Sequence, residues 1–241
     1  MPRLQRDAQQ EVPNTMSIYR VETAQFARMR SLAVALAAAG IVAPILFTAL
    51  VVAQTLFRPG HSFVSLPSSA LAAGPYGWVQ DANFIVTGLL MSAYGLGLHL
   101  GVRQGRGGLI GPALLVLSGL GLAGAGLFPA RDATGVFSQD QVGHFVAAAV
   151  AFLGGGTGLV VMSRRLASDP KWQYLAGYAL ASGIAMLLSF LAFGGLARTP
   201  GAPLHPWMGL VQWALVIVWF ACTLVLALRL LRVARTVEAM G

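Results

Sequence analysis

Acidic residues, lysine and cysteine are all scarce in this sequence, and each shortage closes off a class of protein. Asp and Glu together number eight among 241 residues, and charged residues of both signs make up 10% of the chain, against about 25% in a soluble globular domain. A water-soluble fold is excluded. Cys222 is the single cysteine, so there is no disulfide framework, no Cys-based metal motif and no thiol redox pair. The four histidines, His61, His99, His144 and His205, show no HxxxH or HExxH spacing, and no two share an apolar run. His99 lies near one end of its run with no histidine partner on that side, which disfavours haem. A G-x-S-x-G turn to expose a serine nucleophile beside His144 is also missing. Ser65, Ser68 and Ser69 read instead as serines around a short helix starting near Ser65. Neither a metal nor a cofactor is expected.

What the chain has in quantity is apolar sequence. Hydrophobic residues are 56% of it, and the mean hydropathy is +0.71. About twenty residues at 1.5 Å rise cross a hydrocarbon core of about 30 Å. Runs of that length predict six membrane-spanning helices, at about 32–57, 82–102, 109–129, 144–163, 172–197 and 208–231. The expected fold is an all-α bundle, with a polar tail at 1–31 and a short tail at 233–241. Within the first tail, 17–30 has the length of a surface helix, although Pro2 and Pro13 discourage a long one. Thirteen of the sixteen arginines and lysines fall in the first tail, the 103–108 and 164–171 loops and the C-terminal end, where Arg229, Arg232 and Arg235 lie. The positive-inside rule then puts both termini in the cytoplasm, in a multi-pass protein of the cell membrane. The net charge of +8 is thereby assigned to anionic headgroups rather than nucleic acid. Trp78 and Trp207 on the outer side, with Trp172 and Tyr174 on the inner, read as interfacial anchors.

The most informative stretch is 61–100, a serine-rich loop and a Gly-Pro-Tyr-Gly turn leading into the second span. At helical spacing Asn83, Thr87 and Tyr94 share one face, and Gly88, Ser92, Gly95 and His99 share nearly the opposite one. Ile85, Leu89, Ala93, Leu96 and Leu100 form a third, greasier face suited to lipid. Two protein-covered faces place this helix at the middle of the bundle. In the fourth span His144 falls on the small-residue face with Ala148, Ala151, Gly155 and Gly158. Together with Gln212 of the sixth span, these positions predict one pocket opening outward. Asn83, Thr87, Tyr94, His144 and Gln212 would line it, with Asp81, Asp132 and Arg131 at its mouth. Arg131 is suited to a phosphate, and the mostly apolar lining to an acyl or prenyl chain. The competing reading is a hydrogen-bonded network without a ligand.

No Asp, Glu, Lys or Arg sits near the middle of any span, which counts against a proton-driven carrier or an ion channel. Three function classes remain. They are an outward-facing site that binds or modifies a membrane lipid or other amphipathic small molecule, a carrier of neutral solute or lipid, and a scaffold that assembles other membrane proteins.

A set of short motifs carries a resemblance. They are Ser69-x4-Gly74-Pro75-x-Gly77-Trp78-x-Gln80-x2-Asn83-Phe84-x3-Gly88, then Gly126-x-Phe128-Pro129 before an aspartate, His144 opening the fourth span, and Gly209-x2-Gln212 in the sixth. In these the chain resembles the prokaryotic integral membrane family catalogued as domain of unknown function 998. The resemblance implies a multi-span bundle in a prokaryotic cytoplasmic membrane and names no reaction or substrate. Two positions depart from the pattern. Ala70 stands where an acidic residue often follows the loop serine, and the aspartate after Phe-Pro comes one position late, at Asp132.

Overall fold

The computed structural model describes residues 15–102, 105, 108–132, 134 and 138–236. The expected tails before residue 15 and after 236, and the loop residues Arg103 and Arg106, lie outside the described residues. Among those described there are six α-helices and no strand: α1 (Thr15–Phe57), α2 (Gly77–Gly101), α3 (Ile110–Leu127), α4 (Val142–Ala167), α5 (Ala176–Arg198) and α6 (Met208–Thr236). All six are long and apolar enough to cross a membrane. In hydrocarbon every backbone polar group must be satisfied within its own segment, and uncharged runs of this kind have no alternative to the helix. The protein is a multi-pass membrane protein.

α1 is longer than its apolar run. It starts at Thr15 and continues without a break past residue 31, so the later half of the expected polar tail is helical and continuous with the first span. Pro13 precedes the first turn, and no Gly or Pro follows until Gly40, leaving nothing to interrupt the hydrogen-bond ladder.

Successive helices pack on one another, and α6 returns to pack on α1, which closes a ring of six. α2 is therefore one wall of this ring and not its hub. Its faces are divided as the spacing predicts. Asn83, Thr87 and Tyr94 are buried, while Leu89, Leu96 and Leu100 are exposed. Gly88 and Ser92 meet α3. A Cβ on Gly88 would collide with the Ala123 and Gly119 backbone, and Ser92 Oγ donates to Val116 O and Gly88 O, each at 3.0 Å. Small residues let the two backbones touch where there is no hydrophobic effect to press helices together.

One half of the ring, at the end where α2 finishes, is filled. Leu98, Met162, Leu166, Met186, Leu226 and Leu230 are fully buried there. Two residues expected at the membrane surface complete this core. Arg165 is 1% exposed and donates to His99 O (2.8 Å), Gly108 O (3.0 Å) and Val102 O. It thus satisfies carbonyls left over at the C-terminus of α2. Trp172 is not an interfacial anchor: it is fully buried, and its Nε1 donates to Gly101 O at 3.3 Å. Tyr174, Trp78 and Trp207 are exposed, and the Arg229 guanidinium lies 5.3 Å from the Tyr174 ring centre.

Candidate functional site

At the opposite end of the ring, where α1, α3 and α5 finish, all six helices border a cavity of about 290 Å³. Eight of its lining residues are aromatic. Phe152, Trp219 and Phe220 form a run of rings with centroids 5.5 Å apart, and Phe47 continues it at 5.2 Å from Phe220 and 5.7 Å from Phe84. These are favourable tilted and edge-to-face contacts. Polar groups enter the lining from Ser68, Ser69, Gln141, His144, Arg198 and Gln212.

His144 occupies the first turn of α4, with its ring between Phe84 and Phe145 at 6.0 and 6.1 Å. Its Nδ1 lies 3.0 Å from both Ala125 O and Phe128 O. Both partners are carbonyls, so Nδ1 carries a proton and donates. The same contact caps carbonyls at the C-terminus of α3. Gln212 faces the 58–76 loop, where its Oε1 accepts from Ser68 N at 2.6 Å and Ser68 Oγ at 3.0 Å.

That loop forms a roof. Ser68–Ala72 is a short 3-10 helix, and Ala70 to Ala73 are all buried. It folds into the end of the ring without crossing, so no seventh span exists among the described residues. Arg58 donates to Leu71 O (2.7 Å) and to Ala73 O, and Arg131 donates to Ala72 O at 2.8 Å. Arg131 Nη2 also pairs with Asp81 Oδ2 at 3.2 Å. Gly74 (φ 82°) and Tyr76 (φ 63°) turn the chain from the roof into α2, a left-handed conformation that glycine adopts freely and tyrosine does not. Beside the roof, the carbonyls of Phe63, Val64 and Leu66 approach Gly209 so closely that a Cβ there would strike them. The Gly209-x2-Gln212 motif is thus a seat for the loop and, one turn on, its latch. His61, half-buried in the same loop, is held below its ordinary imidazole pKa, by desolvation first and then by Arg58.

The eight residues expected around one pocket divide into separate groups. His144 and Gln212 line the cavity. Asp81 and Arg131 form the ion pair at the roof, and Asp132 makes a local turn by accepting from Thr134 N at 2.7 Å. Asn83 and Thr87 are not in the lining. Asn83 Nδ2 donates to Phe47 O (3.2 Å) and Gln80 Oε1 (3.3 Å), Thr87 Oγ1 donates to Asn83 Oδ1 (3.3 Å), and Gln54 Nε2 reaches Gln80 Oε1 at 2.8 Å. This chain of amides fastens α2 to α1. Tyr94 sits deeper, against Gly40 and Ala227, with its hydroxyl unpartnered. The aromatic walls went unread in the sequence. Phe145, Ala148, Ala149 and Phe152, at i, i+3, i+4 and i+7, were the available signal on α4. Among the described residues no three His, Cys, Asp or Glu side chains gather as metal ligands.

A family model described as "Protein of unknown function (DUF998)" matches residues 41–229. The chain belongs to the DUF998 family. The matched span runs from the middle of α1 to the last turns of α6, and every residue lining the cavity lies inside it. No curated protein and no solved structure matches the chain. The short motifs on which the resemblance was read have structural counterparts here. Ser69 and Phe84 line the cavity, Gly74 turns the roof, Gln80 and Asn83 bond α2 to α1, Gly88 seats α3, and His144 caps it.

Proposed function

We propose that this DUF998 protein binds the hydrocarbon part of a membrane lipid or similar amphipathic molecule in the aromatic cavity, with the polar end near His144, Gln141 and Ser69. The observation that carries this reading is the cavity itself. About 290 Å³ of space walled by aromatic rings, with a few polar groups at one end, has the chemistry of a small-molecule site at the low end of the usual roughly 300–1,000 Å³. A carrier needs a path to the other side, and the packed half of the ring below the cavity favours binding over carriage. The loop arginine asymmetry orients the cavity toward the outer leaflet of the cytoplasmic membrane. A reporter fused after Arg235 that is active only outside the cell reverses that orientation.

The test is lipid mass spectrometry on protein purified in mild detergent. Wild type is expected to retain a selective lipid that Ala148→Trp, which fills the cavity, releases. The same nonselective lipids in both proteins would refute the reading and leave the polar groups as a structural network.

A further inference from the structure

We propose that the cavity is filled sideways, from the hydrocarbon of the bilayer through a window between α4 and α5, and that its occupant is one acyl chain of a phospholipid already in the membrane. This rests on the lipid-binding reading above and names the ligand's source and route. Three observations support it.

The first is that the water end is roofed. Ser68–Ala72 is buried over the ring and held through its backbone by Arg58, Arg131 and Gln212. A ligand arriving from water meets that roof before it meets the aromatic walls.

The second is that α4 and α5 touch at one height and part at another. At Gly156 and Gly183 the backbones are in contact, since a Cβ on Gly183 would lie 2.7 Å from Gly156 O. Eleven residues further along α5, about 16 Å at 1.5 Å per residue, Gly194 falls on the same face and would meet only the Arg198 guanidinium at 3.6 Å. Phe193 and Ala197, on either side of Gly194 in α5, form a cluster with Met208 on which Phe145 packs, and deeper along the two helices the Phe152 and Phe190 rings meet at 5.5 Å. The opening is the space these contacts leave between them.

The third is depth. Leu153 and Leu191 belong to the cavity lining, yet they are 42% and 65% exposed, so the lining runs out to the lipid-facing surface. Leu153 lies about 16 Å into α4 and Leu191 about 10 Å from the end of α5, inside a hydrocarbon core of about 30 Å. What presses on that surface in a membrane is acyl chain. A cavity of about 290 Å³ admits one chain and not a whole diacyl lipid, so the rest of the molecule has to remain outside. A lateral window allows this. Arg198, exposed at the end of α5 and also in the lining, bends back along the helix to donate to Gly194 O at 3.4 Å, which sets a cation beside the opening.

The experiment uses Ala149→Cys/Gly194→Cys, two small substitutions on opposite sides of the window, with the native Cys222 fully buried. The protein is placed in phosphatidylcholine/phosphatidylglycerol vesicles carrying a phospholipid with a mid-chain diazirine. The cysteines are strapped with a reducible bismaleimide either before or after this loading. Adducts are mapped by peptide mass spectrometry after irradiation. Unstrapped protein is expected to carry adducts on Phe152 and Trp219. Strapping first abolishes them and reduction restores them, whereas strapping after loading retains them through a chase with unlabelled vesicles, which a linker that merely filled the cavity would not do. Adducts unaffected by strapping first overturn the window and leave the binding site intact. No cavity adducts in unstrapped protein, with adducts on lipid-facing Leu96 still present, overturn the binding reading and the window with it.

Discussion

Replacing Gln212 with leucine tests whether the roof is held from below. The substitution keeps the volume nearly constant and removes one acceptor, the Oε1 that takes Ser68 N at 2.6 Å and Ser68 Oγ at 3.0 Å. Ser68 is 3% exposed, so water does not replace the lost partner. Its amide N–H is fixed by the backbone and is left unsatisfied at a cost of about 1–3 kcal/mol. Its hydroxyl rotates to another acceptor and loses less, about 0–1 kcal/mol. A total near 2 kcal/mol lowers the unfolding midpoint by about 4–8 °C in a chain of this size. The change should also be local. Hydrogen exchange followed by mass spectrometry is expected to show faster exchange over 64–73 and unchanged protection in the middle of α3 and α4. In a double-mutant cycle with Ser68→Ala, the second substitution should add little, because both remove the same hydroxyl contact. An unchanged midpoint with unchanged exchange over 64–73 would show that Arg58 and Arg131 hold the roof alone.

Three further outcomes follow from the geometry. Gly88→Ala should destabilise the protein by about 1–3 kcal/mol, because its methyl group strikes the α3 backbone. Gly195→Ala, in open space, should stabilise it by up to about 1 kcal/mol through helix propensity, and thermal unfolding in detergent that moved both midpoints the same way would contradict this packing. His61, whose pKa is lowered in the fold by desolvation and by Arg58, binds fewer protons folded than unfolded. Its contribution is therefore present above the unfolded value of about 6.5 and is lost as pH falls through the lower folded value. The midpoint should drop over that window in wild type and drop less in His61→Gln.

How much of this was legible in the sequence differs from one residue to the next. The Gly74, Gly88 and Gly209 positions were visible as motif residues; Gly74 answers to its own left-handed φ, yet the reason for the other two is a neighbour far along the chain: Gly119 beside Gly88, and the 63–66 carbonyls beside Gly209. The three faces of α2 were legible in full, because a helix repeats every 3.6 residues and lipid accepts only one kind of side chain.

By itself, then, the sequence determined that the chain is helical, that it crosses a membrane six times, and which face of α2 meets lipid. Length and hydropathy are local properties, and hydrocarbon leaves a backbone no other solution. Tertiary structure alone decided which covered face meets which. Closing α6 onto α1 carried Gln212 to Ser68 and turned Asn83 and Thr87 toward α1, away from the cavity that His144 enters. It also took Arg165 and Trp172 out of the interface, where composition had put them, and buried them against the carbonyls that end α2. Periodicity records that a side chain is covered; only the closed ring supplies the partner, because the atoms that satisfy it come from another helix.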